Sequence, residues 1–176
     1  MRSPPATISA RRRSPLPSSL PLSPPTLLIP PPPPLQAQDS HEKFNYSSHT
    51  VAEAVQAYQR GATANTDTEL AYQALKEKFG LRYAAYEAGP GGAVGGEKPG
   101  TVGLDHFIEA NRQQGMKSAV ETAINSFWKN GGDIYNYFAV EGPCSTYGCW
   151  GAVEDWRNVS GAAVPPKLAA IYDLTK

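Results

Sequence analysis

The sequence predicts an α/β fold organised around a parallel sheet, and three observations lead there. Two short apolar segments, residues 81–87 and 133–140, have strand character. Helical patterns precede, separate and follow them, and glycine or proline punctuates each junction. Strands separated by helices pair in parallel through right-handed crossovers. A two-stranded parallel sheet would leave both edges unpaired, and parallel sheets are normally covered within larger α/β folds. The expectation is therefore two short parallel strands with flanking helices, forming part of a larger domain, behind a disordered proline-rich lead.

Residues 1–40 justify that lead. Most of the 17 prolines lie before Asp39, including the run Pro30 to Pro34, with Arg2 and Arg11 to Arg13 and no acidic residue until Asp39. Such a segment favours extended conformations and cannot pack a core. Its basic start, leucines and the small-residue stretch Leu35-Gln36-Ala37-Gln38 imitate a secretory signal faintly, but prolines interrupt the apolar region. Secretion, an organellar transit peptide and a plain unstructured extension all remain open. The globular part occupies residues 41–176.

From residue 50 the elements follow in order. Val51, Ala54, Val55 and Tyr58 recur at helical spacing up to Gly61. Thr66 and Glu69 have the spacing of a capping box, after which Leu70, Ala71, Ala74, Leu75 and Phe79 mark an apolar face ending at Gly80. Residues 81–87 then read as a strand buried on both faces, closed by the turn-rich Ala88-Gly89-Pro90-Gly91-Gly92. A helical stretch begins near Leu104, with Gly115 as a break point; Met116, Ala119, Val120, Ala123, Ile124, Phe127 and Trp128 form its stripe until Gly131-Gly132. The second strand, a loop over 141–158 and a last helix from Pro166 to Leu174 complete the chain.

Composition narrows the partners. Lys plus Arg equals Asp plus Glu at 16 each, so no whole-chain field attracts nucleic acid or an acidic membrane face. No apolar run reaches the roughly 18 residues that a bilayer span requires. Cys144 and Cys149 share one loop and stand either as a short disulfide or as two free thiols. They have no second pair, and His41, His49 and His106 lack ligand spacing, so neither a metal nor a cofactor is expected. Gly89 to Gly96 lacks a following Lys-Ser/Thr pair and is read as a mobile loop over the strand ends, not a phosphate loop.

In parallel α/β architectures ligands bind at the carboxyl ends of strands. Glu87 ends the first strand, beside Tyr86. Glu141, Tyr147, Trp150 and Trp156 follow the second. A rigidly held carboxylate surrounded by aromatic faces suits a neutral sugar, since Tyr and Trp rings stack on C–H surfaces. A salt-bridged Glu87 and core-filling aromatics are the competing structural readings.

These residues also carry a resemblance. Tyr86-Glu87-Ala88-Gly89-Pro90, the helix containing Met116, the stretch Trp128 to Phe138, and Tyr147-Gly148-Cys149-Trp150-Gly151 resemble the C-terminal end of bacterial glycoside hydrolase-like (β/α)8 barrels, over about Ala71 to the C-terminus. The resemblance makes the two strands the seventh and eighth, and the chain a partial TIM barrel. It implies Glu87 as the nucleophile of a retaining enzyme and Trp150 as an aromatic platform, while Tyr147, Glu141 and Tyr86 are expected to line the substrate site from their place at the strand ends. The acid/base residue of such barrels ends the fourth strand in an Asn-Glu pair, and no Asn-Glu dipeptide occurs here. Adjacent parallel strands lie about 4.8 Å apart, which brings Glu141 near enough to Glu87 to be considered for that role, but the resemblance does not support it. The expected function is thus that of a fragment of a glycoside hydrolase-like protein that acts on or binds polysaccharide or oligosaccharide and is inactive alone. A non-catalytic carbohydrate-binding or structural barrel remnant is the alternative.

Overall fold

A computed structural model of the chain describes residues 26–29, 38–39, 42–90, 99–159 and 164–176. Its elements are β1 (Thr26–Ile29), β2 (Gln38–Asp39), β3 (Glu42–Lys43), α1 (Val51–Gly61), α2 (Thr66–Phe79), β4 (Arg82–Ala88), α3 (Val102–Arg112), α4 (Gly115–Lys129), β5 (Ile134–Tyr137) and α5 (Pro166–Leu174). The expected disorder of residues 1–40 falls largely outside the described residues. The two described pieces of that segment are strands. Thr26-Leu27-Leu28-Ile29 is a proline-free aliphatic run bounded by Pro25 and Pro30, a placement proline tolerates at a sheet edge. Of the expected mobile loop from Gly89 to Gly96, Gly89 and Pro90 are described and the rest lies outside the described residues.

The fold is mixed α/β. β4 pairs in parallel with β5, as expected, and β1 adds in parallel to the other side of β4, giving the order β1-β4-β5. The order runs in one direction without reversal. With right-handed crossovers, that places the connecting helices on one face. The core follows this rule. Tyr83, Ala85 and Ala88 of β4 pack with Tyr72 of α2, Phe127 of α4 and Tyr135 of β5, while Tyr135 and Tyr137 also meet Val120 and Ile124 of α4 and Ala170 of α5. Tyr83, Ala84 and Ala85 are consecutively buried, the signature of a strand covered on both sides.

A second cluster joins α1, α3 and α4 around Tyr58, Phe107 and Met116. Its polar centre is satisfied internally. Asn111 donates to the Tyr58 hydroxyl (3.2 Å) and to the Phe107 carbonyl (3.0 Å), and Tyr46 donates to Tyr58 (3.4 Å). Burial pushes both tyrosine hydroxyls well above their ordinary range. The His106 ring lies 3.0 Å from the Tyr46 carbonyl and 2.8 Å from that of His49, so it ties the segment before α1 to α3.

Several elements follow local rules closely. α1 begins at Thr50, whose hydroxyl accepts from the Glu53 amide while Glu53 returns to the Thr50 amide, a capping box that the apolar pattern alone did not reveal. The break near Gly115 separates α3 from α4, and α5 has the expected bounds with Pro166 in its first turn. β5 is shorter than its apolar run.

α2 corrects the sequence reading. The box expected at Thr66 and Glu69 does not form: the N-cap is Asn65, whose side chain makes no capping bond, and the Thr66 hydroxyl donates to the Thr63 carbonyl. Glu69 is only 4% exposed and accepts from Ser126 (3.0 Å) and Asn130 (2.8 Å) of the α4 segment. The apolar stripe therefore points outward. Leu70, Ala71, Ala74 and Leu75 are exposed and Phe79 is 59% exposed, while Tyr72, Gln73 and Lys76 face inward. Trp128, expected in the buried stripe of α4, is also exposed; Asn130 takes the buried place and serves Glu69.

Lys76 shows why the polar face wins. Its ammonium donates to the Gly131 carbonyl (2.7 Å) and to Asp133 (2.8 Å). Asp133 accepts from the Tyr83 amide (2.7 Å), and its own amide donates to the Tyr83 carbonyl (2.8 Å). Burial would raise the Asp133 carboxyl, but Lys76 and the Tyr83 amide outweigh it and hold the group below its ordinary value.

Two outcomes test this arrangement in urea denaturation. Phe79→Ser changes stability by less than about 0.5 kcal/mol, as an exposed site should, whereas Glu69→Ala costs about 2 kcal/mol by stripping Asn130 and Ser126 of their acceptor. Equal losses would contradict the outward stripe. Asp133→Asn costs about 2 kcal/mol at pH 7. Because the folded carboxyl titrates below its unfolded value, its contribution is present above pH 4 and lost as pH falls through the lower value. The wild-type and Asp133→Asn stabilities converge as pH falls below the ordinary carboxylate range.

Candidate functional site at the strand ends

The register of β4 on β5 changes just before its end. Ala85 pairs with Tyr135 and Ala88 with Tyr137, so Tyr86 and Glu87 together oppose the single residue Asn136. This is a β-bulge, with one extra residue in β4. Its effect falls on Glu87. In a regular strand Glu87 would follow Tyr83 and Ala85 onto the helix-covered face. The extra residue shifts the alternation, so Ala88 returns to that face and both Tyr86 (47% exposed) and Glu87 open to solvent.

Beyond the bulge the two strand ends stay tied. The Phe138 amide donates to the Ala88 carbonyl (2.8 Å). Gly89 follows at φ +142°, and a Cβ there would press on the Tyr137 ring at 3.2 Å and the Phe138 carbonyl at 3.3 Å. Only glycine takes that conformation without strain.

The segment after β5 folds back on itself. Ala139 donates to the Trp150 carbonyl (3.1 Å), Ala152 to Ala139 (2.8 Å) and Gly142 to Val153 (3.0 Å). Cys144 and Cys149, for which bond and free thiols were both open, are joined in a disulfide. Tyr147 sits at the tip, 82% exposed. The half-buried Trp150 indole donates to the Tyr147 carbonyl (3.1 Å) and stands edge-on to Phe138, with centroids 5.9 Å apart. The ring is further confined by Gly148, where a Cβ would fall 2.1 Å from the indole nitrogen.

The structure thus brings Tyr86 and Glu87 to the end of β4 and Phe138, Tyr147 and Trp150 to the end of β5. Glu141 takes a different position. It is exposed, forms a bridge with Val153, and accepts from the Trp156 amide (3.3 Å). Its fixed partner is backbone.

Sequence reasoning missed Lys167. It is 5% exposed, donates to the Cys149 carbonyl (2.7 Å) and lies 3.5 Å from the Asn111 side-chain oxygen. It borders a cavity of about 450 Å3 lined also by Arg112, Val153, Glu154 and Pro165. Arg112 and Glu154 form a two-point pair at 2.7 and 2.9 Å; that bond holds the Glu154 carboxyl below its ordinary value. Burial pushes Lys167 down to about 8, against the pull of Glu154. One signal was present: a lysine in the first turn of a helix, directly after two prolines, sits where the helix dipole disfavours a cation. Among the described residues no group of His, Cys, Asp and Glu is placed to hold a metal.

No protein family, curated protein or solved structure matches the chain.

Lys167 makes stability rise with pH. Its folded pKa lies below that of the unfolded chain, so the unfolded state binds more protons between pH 8 and 10.5. The stabilisation is complete above pH 10.5 and is lost as pH falls through 8. In paired denaturation curves, wild type gains about 3 kcal/mol relative to Lys167→Met across this window. A constant difference would remove the assignment.

Proposed function

We propose that the strand-end surface is a carbohydrate-contacting face, and that the chain is the seventh- and eighth-strand portion of a glycoside hydrolase-like (β/α)8 barrel with Glu87 in the nucleophile position. The observation that carries this reading is the bulge that turns Tyr86 and Glu87 out from under the helices. Bulges recur beside active sites because they re-aim a side chain without breaking the sheet.

Two further features support it. A one-way strand order with the packed helices on one face suits a closing barrel, whereas a doubly wound sheet reverses order and carries helices on both faces. The exposed rings of Tyr86, Phe138 and Tyr147 beside Trp150 supply apolar faces with polar edges, the pairing a sugar ring needs.

Hydrolysis with retention requires a second carboxyl about 5 Å from the nucleophile. Glu141, held by the Trp156 amide, is a poor candidate, and the acid of such barrels comes from the fourth strand. The activity of this chain is accordingly binding, with Glu87 placed for chemistry that another carboxyl would complete. Non-catalytic carbohydrate binding is the second reading, favoured by the engagement of Glu141.

Glycan arrays followed by affinity electrophoresis in polysaccharide gels decide the matter. The expected result is saturable retardation by at least one neutral glycan, weakened about tenfold in Trp150→Ala and retained in Glu87→Gln. Sugar release by wild type and not by Glu87→Gln would make the chain catalytic alone. Failure to bind any glycan would end the carbohydrate reading.

A further inference from the structure

The cavity beside α5 lies apart from the bulge and has a different chemistry. Lys167 belongs to its lining. An ammonium group has three N–H donors, a neutral amine has two plus a lone pair. Lys167 Nζ has two acceptors in place, the Cys149 carbonyl at 2.7 Å and the Asn111 oxygen at 3.5 Å. Both protonation states satisfy both acceptors. The remaining position is a donor in one state and a nucleophilic lone pair in the other, so loss of the proton sacrifices no internal hydrogen bond.

Asn111 is itself immobilised. Its amide nitrogen serves Tyr58 and Phe107, which leaves its oxygen for Lys167. The amine is therefore pre-positioned on a rigid support. The cavity, about 450 Å3, is of the size that holds small ligands.

We propose that this cavity is a carbonyl-capture site, in which Lys167 Nζ forms an imine with a small hydroxylated aldehyde. The lone pair of the neutral amine attacks the carbonyl carbon, and the C=O pair moves onto oxygen to give a carbinolamine after proton transfer. That oxygen then leaves as water, and the nitrogen lone pair closes the C=N bond. Amine plus aldehyde gives imine plus water, with no change of oxidation state. Glu154, close enough to be felt by Lys167 and lining the same space, relays the proton. Arg112 commits two of its five N–H donors to Glu154 and keeps others for the hydroxyls of the aldehyde. Val153, Val164 and Pro165 give the cavity an apolar side that favours loss of water.

The lowered affinity of Lys167 for its proton supports this placement: at about 8, roughly a tenth of the amine is neutral at pH 7, against well under a thousandth for an ordinary lysine.

The test uses the intact chain with glyceraldehyde and cyanoborohydride, which reduces the imine to a stable secondary amine, followed by peptide mass mapping over time. Lys167 is expected to be trapped at least about tenfold faster at pH 7 than the exposed Lys129 and Lys176, with a rate midpoint near pH 8. Trapping no faster than at those lysines, or a rate that rises only above pH 10, overturns the proposal. Both readouts come from the wild type and require no variant to fold. Arg112→Ala then tests the ligand class. A slower rate with glyceraldehyde but not with propanal supports recognition of the hydroxyls, and an equal effect on the two aldehydes refutes it.

Discussion

The alignment of β4 on β5 begins at Asp133, and much of the fold is arranged around that carboxylate. Its backbone amide donates to the Tyr83 carbonyl and its side chain accepts from the Tyr83 amide, which fixes where the two strands start. Lys76 closes the same group from α2. Because side chains alternate along a strand, a slip of one residue would exchange the two faces of β4. The lock at Asp133 therefore decides that Tyr83 and Ala85 meet Phe127, and that the surplus residue of β4 accumulates at the far end as the bulge. Glu87 reaches solvent through an interaction made at the opposite end of its own strand.

The same lock explains the inverted α2. An amphipathic helix normally turns its apolar stripe inward. Here Lys76 must reach Asp133 and Glu69 must reach Asn130, and both lie on the opposite side from Leu70, Leu75 and Phe79. Hydrogen bonds to charged groups, each in the range of about 1.5–3 kcal/mol, compete with burial of partly exposed side chains worth a similar amount. The ionic contacts prevail because their acceptors are held by the sheet and by the end of α4. The apolar face that results is open among the described residues.

What the sequence made legible was the local part. The bounds of α1, α4 and α5 follow from periodicity, glycine and proline, since those signals act within one or two turns. The strand character of 81–87, observed as Arg82–Ala88, and the parallel pairing follow from apolar runs alternating with helices. The features that sequence did not reveal depend on contacts far apart in the chain. The bulge requires the relation between Ala85, Ala88 and residues some fifty positions later. The orientation of α2 depends on Ser126, Asn130 and Asp133. Lys167 looks like any surface lysine until Cys149 and Asn111 are placed beside it. Of the candidate site, the location of Tyr86, Glu87 and Trp150 at strand ends was legible, but the mechanism that exposes Glu87 was not.

The segment after β5 joins the two chemical centres. Tyr147 and Trp150 face the strand ends, while Cys144, Val153 and Glu154 line the cavity of Lys167. The Cys144–Cys149 disulfide lies between them, and the Cys149 carbonyl that receives Lys167 is one residue from Trp150. Lys167 is thus bonded to backbone that also carries Trp150. The path is short and covalent, with the indole further tied to Tyr147 and packed against Phe138. Rigidity of this loop serves both places at once: it holds an amine that desolvation leaves poorly able to keep its proton, and it holds a ring edge-on at the end of β5. The two places therefore share one support.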